Sequence, residues 1–353
     1  MNILHITDIK NAKGNGVAVA VQDYIKYESK IENIALFNLS DNVECDIETK
    51  YNYDKFKKIS ELPKPFNKPD LVVFNEVYKP KYIKLYKECI KNKIKYIIIP
   101  HGCLVTEAQN RKKEKKILGN ILLFNSFISN ATAVQFLNDN ERINSHFKYK
   151  KYIIAGNGVS CPKFKNDSKC VNKDFVFIGR YEIKHKGLDL LVKVCHENKE
   201  WFLNNNIKIQ LYGRDSGNEL IQLKQMIVDN AVSDVLIVNG PVYGDDKIKV
   251  LQNAYVFIQC SRFEGQPMGI IEALSIGLPC VVTYGTYLGE YIKDNKCGMA
   301  CNFDSKEVFD SIKKLVENSD LRNTMSDNAY IDSNKDFAWE NVIKKTINEY
   351  KKI

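Results

Sequence analysis

The stretch from Gln259 to Thr283, QCSRFEGQPMGIIEALSIGLPCVVT, sets the reading of the whole chain. It begins at the end of an apolar run, YVFIQC (255–260), and breaks into a polar loop around Glu264 and Gly265. A helical pattern opens near Met268 behind Pro267, stops at Gly277 and gives way to a second apolar run, PCVVT (279–283). Proline suits the entry of a helix and glycine its exit, so the punctuation reads strand, loop, helix, strand. A helix carried between two short apolar strands is the repeating unit of a parallel sheet.

The same alternation continues on both sides. DFVFIG (174–179), KIQLYG (208–213) and VLIVNG (235–240) read as strands, with helices at 187–199, 217–230, 245–253, 268–276 and 305–317. Cys297 and Cys301 fall within one further strand region. A Lys/Asn-rich stretch from Ser160 to Lys173 lacks apolar periodicity and reads as a linker. Before it come NILHIT (2–7), NIALFNL (33–39), LVVFN (71–75), YIIIP (96–100), TAVQF (132–136) and YIIAGN (152–157), with helices at 17–30, 79–92 and 108–128. The expected fold class is α/β with two parallel-sheet domains, residues 1–160 and 173–335. The last stretch, 336–353, is an amphipathic helix with Phe337, Trp339, Val342, Ile343 and Ile347 on its apolar face, expected to complete the first domain.

A length of 353 residues suits two domains, and 44% hydrophobic with 27% charged residues excludes disordered and fibrous classes. Lys+Arg 52 against Asp+Glu 43 leaves a formal net charge of +9. The excess is lysine spread along the chain without an RNP box or zinc-finger spacing, so nucleic acid is not an expected partner. MNILHITDIK carries no basic leader before a long apolar core, and no run of about 18 apolar residues occurs; neither a secretory signal nor a membrane span is expected. Ten cysteines without a CxxC pair read as reduced, mostly buried thiols of a cytosolic protein, with no metal site.

In open parallel sheets, ligands bind beyond the carboxyl ends of the strands. The helix opening near Met268 offers unpaired N–H groups and a partial positive charge to a phosphate, and Gly265 and Gly269 permit close approach. Glu264 in the loop and Glu272 on the helix, with seven residues between them, suit sugar hydroxyls. Upstream, FIGRYEIKHKGLDLL sets Arg180 just past a strand end and Lys186 before Gly187, a planar fork and a point charge for a diphosphate. The expected ligand is a phosphate flanked by polyols. His185 and His196 are expected at the surface. The run Arg111-Lys112-Lys113-Glu114-Lys115-Lys116 before ILGNILLFNSFI is read first as a solvated turn entering a core helix, with contact to an anionic bilayer as the competing reading.

Taken in order, Gly179-Arg180, Lys186-Gly187, Gly240, the Glu264-to-Glu272 E-x7-E pattern, Gly277-x-Pro279 and Gly289-Glu290 resemble the donor-nucleotide half of a family 4 glycosyltransferase of the GT-B fold. Weaker similarity at Gly14-Asn15-Gly16, Pro100-His101-Gly102 and Asn157-Gly158-Val159 extends it over nearly the whole chain. The resemblance implies two Rossmann-like domains facing across a cleft, the first binding the acceptor and the second the donor. It implies transfer, with retention, of a sugar from a UDP- or GDP-linked donor to a glycan or lipid-linked acceptor in bacterial surface polysaccharide or glycoconjugate synthesis. No cofactor or obligatory metal is implied, the nucleotide sugar being a co-substrate, and no Asp-x-Asp lies at a strand end. A cytoplasmic protein, peripheral at the inner face of the plasma membrane, would fit such acceptors.

By the same resemblance Arg180 and Lys186 hold the diphosphate, Glu272 the ribose, and Glu264 with Gly265, Gln266, Pro267, Met268 and Gly269 the donor sugar. Gly240 faces the base, His101 reaches the sugar, and Gly14 and Gly16 admit the diphosphate and acceptor. Asn15 between two glycines, and Gln266 and Met268 where aromatic residues are common, depart from the family pattern, so the donor sugar is not transferred with it. A nucleotide-sugar epimerase of the same architecture and a catalytically silent nucleotide-sugar-binding subunit are the alternatives. A dehydrogenase is the least favoured reading, because neither half carries a complete dinucleotide fingerprint.

Overall fold

The computed structural model describes residues 1–9, 16–40, 47–110, 113–160, 173–215 and 217–353, without the side chain of Glu107. It divides into two compact units, Met1–Gly158 with Trp339–Ile353, and Val159–Ala338.

The first unit holds β1 (Asn2–Thr7), β2 (Asn33–Asn38), β3 (Lys50–Asn52), β4 (Leu71–Asn75), β5 (Lys95–Ile99), β6 (Ala133–Phe136) and β7 (Tyr152–Ile154). They form one sheet in the order β3-β2-β1-β4-β5-β6-β7, each neighbouring pair parallel. The second unit holds β8 (Phe175–Ile178), β9 (Ile209–Tyr212), β10 (Leu236–Asn239), β11 (Val256–Gln259), β12 (Cys280–Thr283) and β13 (Gly298–Cys301), ordered β10-β9-β8-β11-β12-β13 and again all parallel. Each chain path runs outward from a central strand, returns, and continues on the other side. This is the doubly wound topology, and the fold class expected from the sequence, two Rossmann-like parallel-sheet domains, is the one observed.

Strands covered by helices on both faces bury alternate residues in opposite directions, which is why they read as unbroken apolar runs. In the first sheet Leu4, Ile6, Val72, Phe74 and Ile98 enter one core, while Ile3, Leu36, Val73, Ile97 and Ile99 enter another. The second core is closed by the helix Trp339–Lys351, through Trp339, Val342, Ile343, Ile347 and Tyr350. Trp339 stacks on Tyr27 at 5.7 Å and meets Tyr24 edge-on at 5.0 Å. The second sheet divides its residues likewise, Phe175, Phe177 and Ile258 against Val176, Phe257 and Val282.

Some expectations change. Of the helix expected over 108–128, the described residues form Thr106–Asn110 and then Lys113–Gly119, which runs on through a π-helical turn, Asn120–Phe124, into Asn125–Asn130; residues 111 and 112 lie outside the described residues. Its apolar residues do not form the expected core helix: Phe124, Phe127 and Ile128 are buried, whereas Ile117, Leu118, Ile121 and Leu122 are 48–68% exposed. The helix Ser319–Asp336 and the short β3 had no counterpart in the sequence reading. Seven described cysteines are free, Cys103 half-buried and the other six buried; Cys45, Cys161 and Cys170 lie outside the described residues, as do 161–172 of the expected linker. No helix among the described residues is long and apolar enough to cross a membrane.

Candidate active site

The second sheet reverses its winding between β8 and β11, and the loops leaving such a pair diverge to open a crevice. The loop after β8 carries Arg180 and the loop after β11 carries Glu264. A glycine holds the two together. Gly187 has φ 65°, and a Cβ there would stand 1.9 Å from the carbonyl oxygen of Cys260, so no other residue fits without moving the end of β11.

That contact brings Lys186, one residue earlier, onto the next loop. Its Nζ lies 2.6 Å from Glu264 Oε1, with the side chains 13% and 8% exposed. The same oxygen accepts from Ser261 Oγ at 2.6 Å and from Gln259 Nε2 at 2.8 Å. Three donors on one oxygen fix the carboxylate's orientation, and Oε2 takes no partner among the described residues. The fixed oxygen is neutralised by lysine; the other is available to a ligand hydroxyl.

Behind Pro267 the helix Met268–Ser275 begins. A Cβ on Gly269 would lie 3.1 Å from Ile178 O and from Phe257, so this turn is packed on the end of β8; a Cβ on Gly265 would meet nothing within 4 Å. Gln266 and Met268 are partly buried and Pro267 buried. Glu272, further along the helix, pairs with Lys247 of the helix Gly244–Asn253 at 2.6 Å, not with Glu264 or Lys186. Gly240, exposed at the end of β10, lines a cavity of about 390 Å³ with Gly213, Arg214, Lys224, Val238 and Pro241.

Arg180 is 44% exposed and binds Glu182 Oε1 at 2.7 Å. Glu182 Oε2 lies 2.5 Å from His185 Nδ1, while His185 Nε2 meets the carbonyl of Phe263 at 2.8 Å and the ring stacks on Phe263 at 4.2 Å. His185 is therefore not the surface residue expected; it ties the loop after β8 to the loop after β11. Its hydrogen bond, followed by the Arg180 charge, holds the Glu182 carboxyl down to about 2. Arg262 strengthens the tie through a two-pronged pairing with Asp189, both contacts 2.9 Å, and lies over the Phe303 ring at 4.1 Å. His196 is exposed.

The remaining expected residues belong to the first unit. His101 follows β5 with φ 51° and Gly102 with φ 79°. This left-handed turn is held by Glu141, which accepts the Gly102 N–H at 2.5 Å and the Leu137 N–H at 2.6 Å. Burial pushes the His101 imidazole down to about 4, so it is neutral at pH 7. Its Nε2 lies 3.2 Å from Oδ1 of Asn75, the last residue of β4. Gly16 opens the helix Gly16–Glu28, and Gly14 lies outside the described residues.

Sequence reasoning missed Gln259, Ser261 and Lys247, which orient the two glutamates, and Asn75 and Glu141, which orient His101 and its turn. Asn75 had a signal, a lone polar residue ending an apolar strand. Among the described residues no group of three or more His, Cys, Asp and Glu side chains is placed to hold a metal ion.

Two doubly wound units of this kind are the GT-B architecture, and residues 163–332 match the family model of the glycosyl transferases group 1. Over the whole chain the fold is that of Anabaena HepE, solved in complex with UDP (TM-score 0.77, 14% identity, all of both chains covered). A poly(ribitol-phosphate) alpha-N-acetylglucosaminyltransferase of Staphylococcus aureus is 25% identical over 274 residues, 75% of this chain and 52% of that protein. An uncharacterized glycosyltransferase of Methanocaldococcus jannaschii is 23% identical over 96% of this chain and 94% of its own length. The chain spans about half the length of several curated relatives it matches, the Staphylococcus protein among them.

Proposed function

We propose that the protein is a retaining, metal-independent glycosyltransferase that moves a sugar from a nucleotide-sugar donor, UDP- or GDP-linked, to a hydroxyl of a surface glycan or lipid-linked acceptor. The observation that carries the reading is Glu264, with one oxygen gripped by Lys186, Ser261 and Gln259 and the other left to accept from a sugar hydroxyl. Lysine has three N–H donors, so Lys186 can keep Glu264 and still take a phosphate oxygen. Arg180, exposed and on the adjoining loop, supplies the second positive charge, and Glu272 with Lys247 is suited to ribose hydroxyls. The cavity beside Gly240 has room for the base. The match to group 1 glycosyl transferases and the likeness to a UDP-bound neighbour support the same assignment.

In the transfer the bond from the anomeric carbon to the phosphate oxygen breaks and its electron pair leaves on the diphosphate, where Arg180 and Lys186 stabilise it. The acceptor hydroxyl adds on the same face, and its proton passes to the departing phosphate oxygen. His101, neutral at pH 7, meets the sugar through hydrogen bonding. Similarity to a poly(ribitol-phosphate) transferase supports a polyol or glycan acceptor in bacterial surface polysaccharide or glycoconjugate synthesis. Exposed Lys113 and Lys115 beside Ile117, Leu118, Ile121 and Leu122 support peripheral attachment at an anionic cytoplasmic membrane face, where lipid-linked acceptors would reside.

The reading is tested by thermal shift of the full chain against UDP- and GDP-sugars. A donor present at about 100 times its Kd stabilises the fold by about 2.7 kcal/mol, and Glu272→Ala should remove most of that gain. If no nucleotide sugar shifts the transition, the proposal fails; conversion of donor into its epimer without any acceptor would transfer it to an epimerase.

A further inference from the structure

The first unit buries an acid and a base that the proposed reaction does not use. His5 in β1 and Glu28, the last residue of the helix Gly16–Glu28, are both fully buried, with Nε2 and Oε2 2.6 Å apart. On the other side of the His5 ring, Nδ1 lies 3.4 Å from Asn75 Nδ2, and Asn75 Oδ1 lies 3.2 Å from His101 Nε2. Glu28, His5, Asn75 and His101 thus form one line of hydrogen bonds, drawn from a helix, two neighbouring strands and the turn after β5.

Such a line has a direction. An ionised carboxylate only accepts, a neutral imidazole has one donor and one acceptor nitrogen, and an amide has a donating and an accepting end. Glu28 at the far end takes the proton-bearing edge of His5, Nε2–H, which leaves Nδ1 as an acceptor. Asn75 then turns its NH2 group to His5 and its carbonyl to His101, as the structure has it. A carbonyl must be given a proton, so His101 donates from Nε2 and keeps a lone pair on Nδ1. That nitrogen takes no partner among the described residues.

We propose that Glu28, His5 and Asn75 are positioning residues that hold His101 in the tautomer protonated on Nε2, presenting Nδ1 as a hydrogen-bond acceptor. The line explains why an ionisable pair is kept in the core of a sheet where apolar residues of similar volume would be tolerated. It also separates two tasks at His101: Glu141 fixes the backbone of the turn, and the line fixes the ring. The effect on turnover rests on the reading of His101 as a group that meets the sugar; the tautomer itself does not.

The test is long-range ¹H–¹⁵N spectroscopy of the full chain labelled at histidine, at pH 7.5, with His101 assigned through His101→Gln. The parent should show His101 protonated on Nε2 alone. In Glu28→Gln the terminal amide can give or take a hydrogen bond, the direction is lost, and both His101 tautomers should appear in comparable amounts. The double variant H5F/E28L, which replaces the pair by apolar side chains, should have the same effect and carries the test if the glutamine variant does not fold. His101 protonated on Nδ1 in the parent, or one unchanged tautomer in the folded variants, overturns the proposal. Turnover should fall about tenfold in kcat with KM unchanged; a tautomer change without that fall would uphold the line and count against the role of His101 at the sugar.

Discussion

Burial keeps the His101 imidazole neutral down to about pH 4, whereas an unfolded chain protonates it near 6.5. Between those values the unfolded state binds the extra proton, so this residue costs the folded state stability as pH falls from about 6.5 to 4, at up to about 1.4 kcal/mol per unit. His101→Gln should therefore lose less stability on acidification than the parent, with the gap widening towards pH 4 in urea titrations; parallel losses would show that the ring protonates freely in the fold. Glu182, held down to about 2 by His185 and Arg180, contributes in the opposite sense, its stabilisation being present above about 4.5 and lost towards 2. At this scale the sequence disclosed the charged residues and concealed their pairing. Arg180 and Lys186 looked alike beside one strand end, yet Arg180 pairs along its own loop and Lys186 reaches the next. Gln259 and Ser261 were invisible because an uncharged donor next to a carboxylate leaves no mark in spacing.

Elements built on unbroken apolar runs were legible, because a strand buried on both faces needs such a run and a loop does not. β3, Lys50–Asn52, was not legible, being three residues long and polar at both ends. Nor was the helix Ser319–Asp336, whose buried residues include Arg322, Ser326 and Ser333. Those side chains satisfy themselves on carbonyls, Ser326 on Gly277, Ser333 on Ala329 and Arg322 on Tyr255, so they enter the interior without an apolar stripe to announce it. Gly187 was read as part of a motif, and the structure supplies the reason, a carbonyl where a side chain would be. Gly187→Ala should destabilise the second unit by about 3 kcal/mol or more, through left-handed strain and the clash with Cys260, and weaken donor-induced stabilisation; an unchanged urea midpoint would count against that close approach. The helical stretch at 113–124 carries a different expectation. The chain should float with anionic vesicles at low salt and release as salt screens the lysines, and L118D/L122D should bind at least tenfold more weakly. Absence of flotation by the parent would remove the membrane proposal.

For the molecule as a whole, both sheets and the two-domain division follow from the order of strands, while the closing of the first unit depends on residues from the far end of the chain. The helix Trp339–Lys351 buries Trp339, Val342, Ile343, Ile347 and Tyr350, and at about 1.5–3 kcal/mol for each large side chain its removal forfeits about 10 kcal/mol, the scale of a domain's entire stability. A chain ending at Ala338 should show cooperative unfolding of the second unit only, with residues 1–158 open to proteolysis; survival of both transitions would contradict this. Polypeptides leave the ribosome from the N-terminus at about 5–20 residues per second. Residues Val159–Ala338 therefore emerge in about 10–40 seconds, during which the first sheet waits with one face uncovered. Until Trp339–Lys351 arrives, Tyr24, Tyr27 and their neighbours present an apolar surface that chaperones and proteases can recognise, so the first unit is completed only after the second has been made.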